Sequence, residues 1–214
     1  MTWTPVTVTT ADADLPGDLA MRDGDGRVVV FAHGSGSSRH SPRNRAVAAH
    51  LVQTGLGVLL FDLLTGREGD DRRLVFDIPF LAGRLVAATQ WLLTASPWST
   101  RQGDRSVGYF GASTGAGAAL WAAADPSVAA SIGAVVSRGG RPDLAAERLD
   151  QVRAPTLLIV GGHDVQVLDL NRRAQERLRC ENRLAVVPGA THLFEEPGTL
   201  AQVADLAADW FLTH

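Results

Sequence analysis

The chain has 214 residues, with 20 basic and 23 acidic side chains and a formal charge of −3. That length suits one domain with its own hydrophobic core, and the near-balance of charge gives no electrostatic footprint for nucleic acid or an anionic membrane surface. Every basic residue is Arg and Cys180 is the single thiol, so a P-loop lysine, Schiff-base chemistry, an internal disulfide and Cys-rich metal centres are excluded.

Residues 1–16 carry acid but no base and lack the apolar centre of a secretory leader. No run approaches the ~20 apolar residues of a membrane span, and a cytoplasmic protein is the expectation. Residues 6–9 alternate as an exposed strand does. Residues 18–21 read as a second strand, followed by a turn at Asp23-Gly24-Asp25-Gly26. Residues 28–32 form a solid apolar run, as in a strand buried on both faces. Ser41-Pro42 starts a helix that runs to about Thr54 and stops at Gly55. Residues 58–61 are a buried strand, 66–73 a polar loop and 79–93 a helix.

The alternation continues to the end of the chain. Strands are predicted at 107–110, 132–136, 156–160 and 184–187, and helices at 113–123, 168–178 and 199–212. Two antiparallel strands followed by repeated βα units make an α/β fold, with a mostly parallel sheet and helices on both faces.

Gly111-Ala112-Ser113-Thr114-Gly115 is a G-x-S-x-G pattern between a predicted strand and a predicted helix. Its glycines permit a sharp turn that exposes the serine hydroxyl at the carboxyl end of the sheet, and the helix start behind it favours developing negative charge. A serine needs a base to take its proton, and the base needs an orienting acid. His33, His40 and His50 precede Ser113, His214 is terminal and His163 adjoins the expected acid. His192 is left, in the loop between the last strand and the last helix. Asp164, directly beyond the strand at 156–160, is the foremost acid. Asp169 and Asp143 are the other candidates. An oxyanion needs preorganised donors, expected from the backbone N–H of Thr114 and from the loop His33-Gly34-Ser35-Gly36-Ser37-Ser38, with Ser35 preferred and Gly36 the alternative.

With these residues in order, the chain resembles the α/β-hydrolase family over nearly its whole length. Gly108-Tyr109-Phe110-Gly111-Ala112-Ser113-Thr114-Gly115 and Ala190-Thr191-His192-Leu193-Phe194 resemble, more narrowly, the small dienelactone-hydrolase-like branch. The resemblance implies a single-domain α/β-hydrolase fold over residues 1–214, an eight-stranded sheet, and hydrolysis of esters or related acyl compounds. Dienelactone hydrolases use a Cys nucleophile. Here that position is Ser113 and the one thiol lies beyond a late helix, so general esterase chemistry is expected. The short segment between residues 137 and 155 leaves no room for a cap domain.

Arg39, after the oxyanion loop, and Arg138, after a strand, are candidates to bind a substrate carboxylate as planar bidentate partners. Two other classes compete. Gly34-Ser35-Gly36 mimics the start of a nucleotide-binding turn, but Arg39 stands where a third glycine belongs, and a short-chain dehydrogenase Tyr–Lys pair is impossible without Lys. A non-catalytic binding protein on the same fold would ordinarily have lost triad members. The expectation is therefore a serine hydrolase acting through an acyl-enzyme on a small-molecule acyl substrate, needing no cofactor or metal. A thioesterase or acyltransferase using the same triad is the alternative.

Overall fold

In the computed structural model, residues 2–21, 26–99 and 105–214 are described. The chain opens with β1 (Thr4–Thr9) and β2 (Asp14–Ala20), then β3 (Arg27–Ala32), α1 (Pro42–Gln53) and β4 (Gly57–Phe61). Two single-turn helices, α2 (Gly66–Gly69) and α3 (Arg72–Val75), lead into the long α4 (Ile78–Thr94). The second half is β5 (Ser106–Ala112), α5 (Thr114–Ala123), β6 (Ile132–Arg138), β7 (Thr156–Gly161), α6 (Val165–Arg177), β8 (Asn182–Val187) and α7 (Thr199–Thr213).

The eight strands form one sheet in the order β1-β2-β4-β3-β5-β6-β7-β8. β1 and β2, and β2 and β4, pair antiparallel; every other pairing is parallel. The central strands β3, β4, β5 and β7 are buried almost throughout, as their unbroken apolar runs require once helices cover both faces. One face packs Leu81, Leu85, Leu92, Leu120 and Leu178, from α4, α5 and the end of α6, against the sheet. The other packs Val47 and Leu51 of α1 with Val203, Ala207 and Phe211 of α7.

This order fixes where chemistry can occur. From β3 the chain steps outward to β4, then returns across β3 to β5 and continues outward the other way. The loops after β3 and β5 therefore diverge and leave a crevice at the carboxyl ends of these neighbouring strands. Between β6 and β7, residues 139–155 form only short 3-10 turns, Pro142–Ala145 and Leu149–Gln151, and no cap domain.

Several local expectations change. β2 begins at Asp14, four residues earlier than the pattern predicts. Pro16 discourages a strand there, but its carbonyl accepts from the Asp62 N–H and its missing donor is tolerated near the sheet edge. The predicted polar loop at 66–73 instead holds α2 and α3. Thr65 and Glu68 form a reciprocal capping box, which the Thr-x-x-Glu spacing announces. α6 starts at Val165 rather than 168. The predicted turn at 23–26 falls largely on residues 22–25, which lie outside the described residues.

Candidate active site

Ser113 closes β5 and opens α5 with φ 51° and ψ −120°. A non-glycine residue in this region is strained, and the surroundings must hold it there. They do so by close approach. A Cβ on Gly115 would lie 2.2 Å from the Ala32 carbonyl oxygen, and one on Gly111 would lie 2.4 Å from the Ala116 Cα. Only glycine lets β3, β5 and α5 converge this tightly. The Ser113 side chain does not cap its helix, and its backbone N–H donates to the Arg138 carbonyl at 3.2 Å.

His192 sits in the β8–α7 loop and reaches Asp164 through Nδ1 and Oδ2 at 2.6 Å. An ionised carboxylate only accepts, so in the neutral ring the proton sits on Nδ1 and Nε2 is left basic. Asp164 occupies the N-cap position of α6 but makes no side-chain cap bond, since its carboxylate is turned to the histidine. The other candidate acids are engaged elsewhere: Asp169 pairs with Arg173 and Asp143 with Arg141. Gly139, with φ +51°, packs under the imidazole, where an added Cβ would come within 3.5 Å of Nδ1.

Two small cavities flank the loop after β3. One, of about 260 Å³, brings Ser113 and His192 together with Ser35, Arg43, Asn44 and Arg138. The other, of about 230 Å³, lies beside Thr114 and is lined by Leu63, Leu64, Val75 and Leu81. His33 holds this rim: its Nδ1 faces the Gly34 carbonyl at 3.1 Å and its Nε2 accepts from the Leu63 N–H at 3.0 Å. Burial pushes the His33 pKa down, consistent with a neutral ring bridging β3 and β4.

The structure corrects two expectations. The Ser35 N–H, preferred as the second oxyanion donor, is taken up by Thr114 Oγ1 at 2.7 Å, so it is not a free donor at rest. Arg39 lines neither cavity. Its guanidinium pairs with Asp62 and lies 3.8 Å from Asp18, and its backbone N–H also donates to Asp62, which makes it a brace between the loop and β4. Arg138, by contrast, is in the cavity with Ser113. Cys180 lies just before β8, at the opposite end of the sheet from the serine, and burial pushes its thiol pKa up.

Sequence reasoning missed Arg43, Asn44, Gly139 and Glu196. Arg43 had a visible signal: a cation in the first turn of a helix opposes the helix dipole, which is a reason to ask what else it serves. Glu196 accepts from both the N–H and the hydroxyl of Thr191, at 3.1 and 2.6 Å, and so pins the residue preceding His192. That contact is made inside an irregular loop, and no periodic pattern marks it.

Residues 25–206 match the α/β-hydrolase domain family. The chain belongs to the α/β-hydrolase family. This α/β-hydrolase superimposes on the crystal structure of a dienelactone hydrolase from Anabaena variabilis with a TM-score of 0.94 and 51% identity, covering 100% of this chain and 98% of that one. It also shares its fold with an α/β serine hydrolase without a lid from Xanthomonas campestris, at a TM-score of 0.76 and 20% identity over 99% of this chain and 94% of that one. A Mycobacterium tuberculosis protein provisionally named a phosphoribosyl transferase is 58% identical over 209 residues, which are 98% of this chain and 46% of that protein. The chain thus spans somewhat under half the length of that curated relative. Among the described residues no helix is long and apolar enough to cross a membrane.

Proposed function

We propose that this α/β-hydrolase is a serine hydrolase that cleaves a carboxylic ester or related small acyl compound through an acyl-enzyme. One observation carries the proposal: a serine held in a strained, glycine-enclosed turn shares a cavity with a histidine whose far nitrogen is fixed by an aspartate.

In this scheme Ser113 Oγ bonds to the acyl carbon and its proton passes to His192 Nε2. Asp164 keeps the imidazole in the required tautomer and stabilises its cation. His192 then returns the proton to the leaving oxygen as that bond breaks. Water next loses a proton to Nε2 and its oxygen bonds to the acyl carbon. The carboxylic acid product leaves and Ser113 recovers its proton. Negative charge on the former carbonyl oxygen meets the Thr114 N–H at the start of α5 and a donor from the loop Gly34–Ser37. Within that loop, the Ser35 N–H contributes only by sharing its bond with Thr114 Oγ1, and Gly36 is the alternative donor.

The phosphoribosyl transferase name belongs to a protein more than twice as long, and the portion matched here is the α/β-hydrolase portion, so transferase chemistry is not carried over. The proposal is tested by hydrolysis of short 4-nitrophenyl esters. Ser113→Ala and His192→Ala should each lower kcat by about 10⁴-fold or more, and the double variant should lose little further, because the residues act as one unit. Near-normal turnover by Ser113→Ala would refute the scheme.

A further inference from the structure

Two buried arginines in this protein have opposite surroundings. Arg84, on α4, is 2% exposed and ion-paired: Nη1 donates to Thr10 and Asp12 and Nη2 to Glu68, all within 3 Å, and Nε alone lacks a partner. That is how a guanidinium buried for structure is accommodated. Arg138, at the end of β6, is 8% exposed and makes no ion pair among the described residues. Nε and Nη1 have no hydrogen-bond partner, and Nη2 makes only a long 3.4 Å contact with Asn44 Oδ1. Burial lowers the Arg138 pKa to about 10, with Arg43 adding a smaller repulsion. The side chain therefore remains a cation at neutral pH, buried with no paired counter-charge among the described residues.

Its surroundings add to the positive field. The cavity that Arg138 lines contains no Asp or Glu. Arg43 lies on the same wall with its own Nε buried and unpartnered, while Nη1 turns outward to Glu195 at 3.2 Å. Ser41 is the N-cap of α1, Arg43 and Asn44 belong to its first turn, and the helix's N-terminal dipole end faces the same space. Ser113 and His192 are on its other side.

We propose that this cavity binds a compact oxyanion, carboxylate or phosphate, carried by the substrate next to the scissile acyl group, with Arg138 as its main ligand and Arg43 beside it. This deepens, and rests on, the serine hydrolase reading: the substrates are acidic acyl compounds rather than neutral esters. The Arg138 guanidinium has two planar forks, Nη2 with Nε and Nη2 with Nη1; Nε and Nη1 have no partner and Nη2 only the long Asn44 contact, so the group suits bidentate recognition of either oxyanion. An incoming anion supplies the counter-charge that the fold withholds.

The direct test compares 4-nitrophenyl hemisuccinate with 4-nitrophenyl butyrate, near-isosteres that differ in the terminal carboxylate. The wild type should favour the acidic ester by at least about tenfold in kcat/KM, the scale of one charge-assisted hydrogen bond. Arg138→Gln should collapse that ratio towards one and Arg43→Gln should lower it less. An unchanged ratio in folded Arg138→Gln, or a wild-type ratio at or below one, overturns the proposal. Because Arg138 is buried, a second measurement uses the wild type alone: inorganic phosphate and propionate are titrated against labelling of Ser113 by a neutral fluorophosphonate. Protection by phosphate at the lower concentration assigns a phosphoryl group; protection by propionate assigns a carboxylate. Protection by neither refutes the site. If the neutral ester is not cleaved and Ser113 is not labelled, it is the hydrolase reading that fails. Calorimetric titration of the same two anions into wild type and Arg138→Gln then decides the anion site by itself, with equal or absent heats in the two proteins counting against it.

Discussion

At the scale of single residues, the site is a set of side chains whose ordinary partners have been redirected. Asp164 forgoes capping α6 and turns to His192. Ser113 forgoes capping α5, and Thr114 Oγ1 holds the Ser35 amide. Glu196 does comparable service for the loop that carries the histidine. Its bonds from the Thr191 hydroxyl and N–H hold its carboxyl below the usual carboxylate range. An unfolded Glu ionises near ~4.3, so a group lowered in the folded state lends its stability fully above that value and loses it as pH falls through the folded value. Glu196→Gln should therefore unfold more readily than wild type at neutral pH, and the two urea midpoints should converge as pH drops from about 5 to about 3. Equal midpoints at pH 7 would show that the clamp contributes nothing.

The grouping of Ser113, Asp164 and His192 was legible at this scale because each residue type follows from the chemistry expected of it and each lies beyond the end of a patterned strand. Arg39 and Arg138 were not distinguishable. One comes after the Gly-rich loop and the other at a strand's carboxyl end, and only the folded chain shows that Asp62, distant in sequence, neutralises Arg39 and that among the described residues no carboxylate reaches Arg138.

Among the elements, the strands and long helices follow from apolar periodicity and from punctuation such as Ser41-Pro42, with Ser41 accepting from the Asn44 N–H as an N-cap should. The departures have local causes. Glu68 both closes the capping box of α2 and binds Arg84, so this short turn is fastened to α4 by charge rather than by an apolar stripe. Periodicity cannot see such an element. The junction of β3, β5 and α5 makes a sharper prediction. Gly115→Ala would drive a methyl to 2.2 Å from the Ala32 carbonyl oxygen and 2.5 Å from that of His33. Both are backbone atoms and neither has a rotamer to yield. The substitution should cost about 3 kcal/mol or more, by analogy with overpacked cores, and should suppress turnover with it. Urea denaturation measures the first and ester hydrolysis the second. A wild-type midpoint would mean that the elbow is looser than its geometry indicates.

For the whole molecule, the decisive feature is the strand order. Reversal between β3 and β5 opens the crevice in which the serine, the Gly-rich loop and the histidine meet, with helices sealing both faces of the sheet. Chain-order logic predicts this arrangement, since repeated βα units in a parallel sheet leave few topologies. What surrounds the crevice lies in loops, and the charge of the cavity wall emerges only when β6, α1 and the loop after β3 are assembled. The absence of lysine acquires a sharper sense here: each cation near the site is a guanidinium with a fixed planar fork. The central claim, that Ser113 is the nucleophile activated by His192, is most directly tested by treating the folded protein with a fluorophosphonate and mapping the adduct by peptide mass spectrometry. A single adduct on Ser113, absent in Ser113→Ala and strongly slowed in His192→Ala, is the predicted result. A folded protein that gains no adduct, or gains it on another serine while Ser113→Ala keeps its esterase activity, would contradict it.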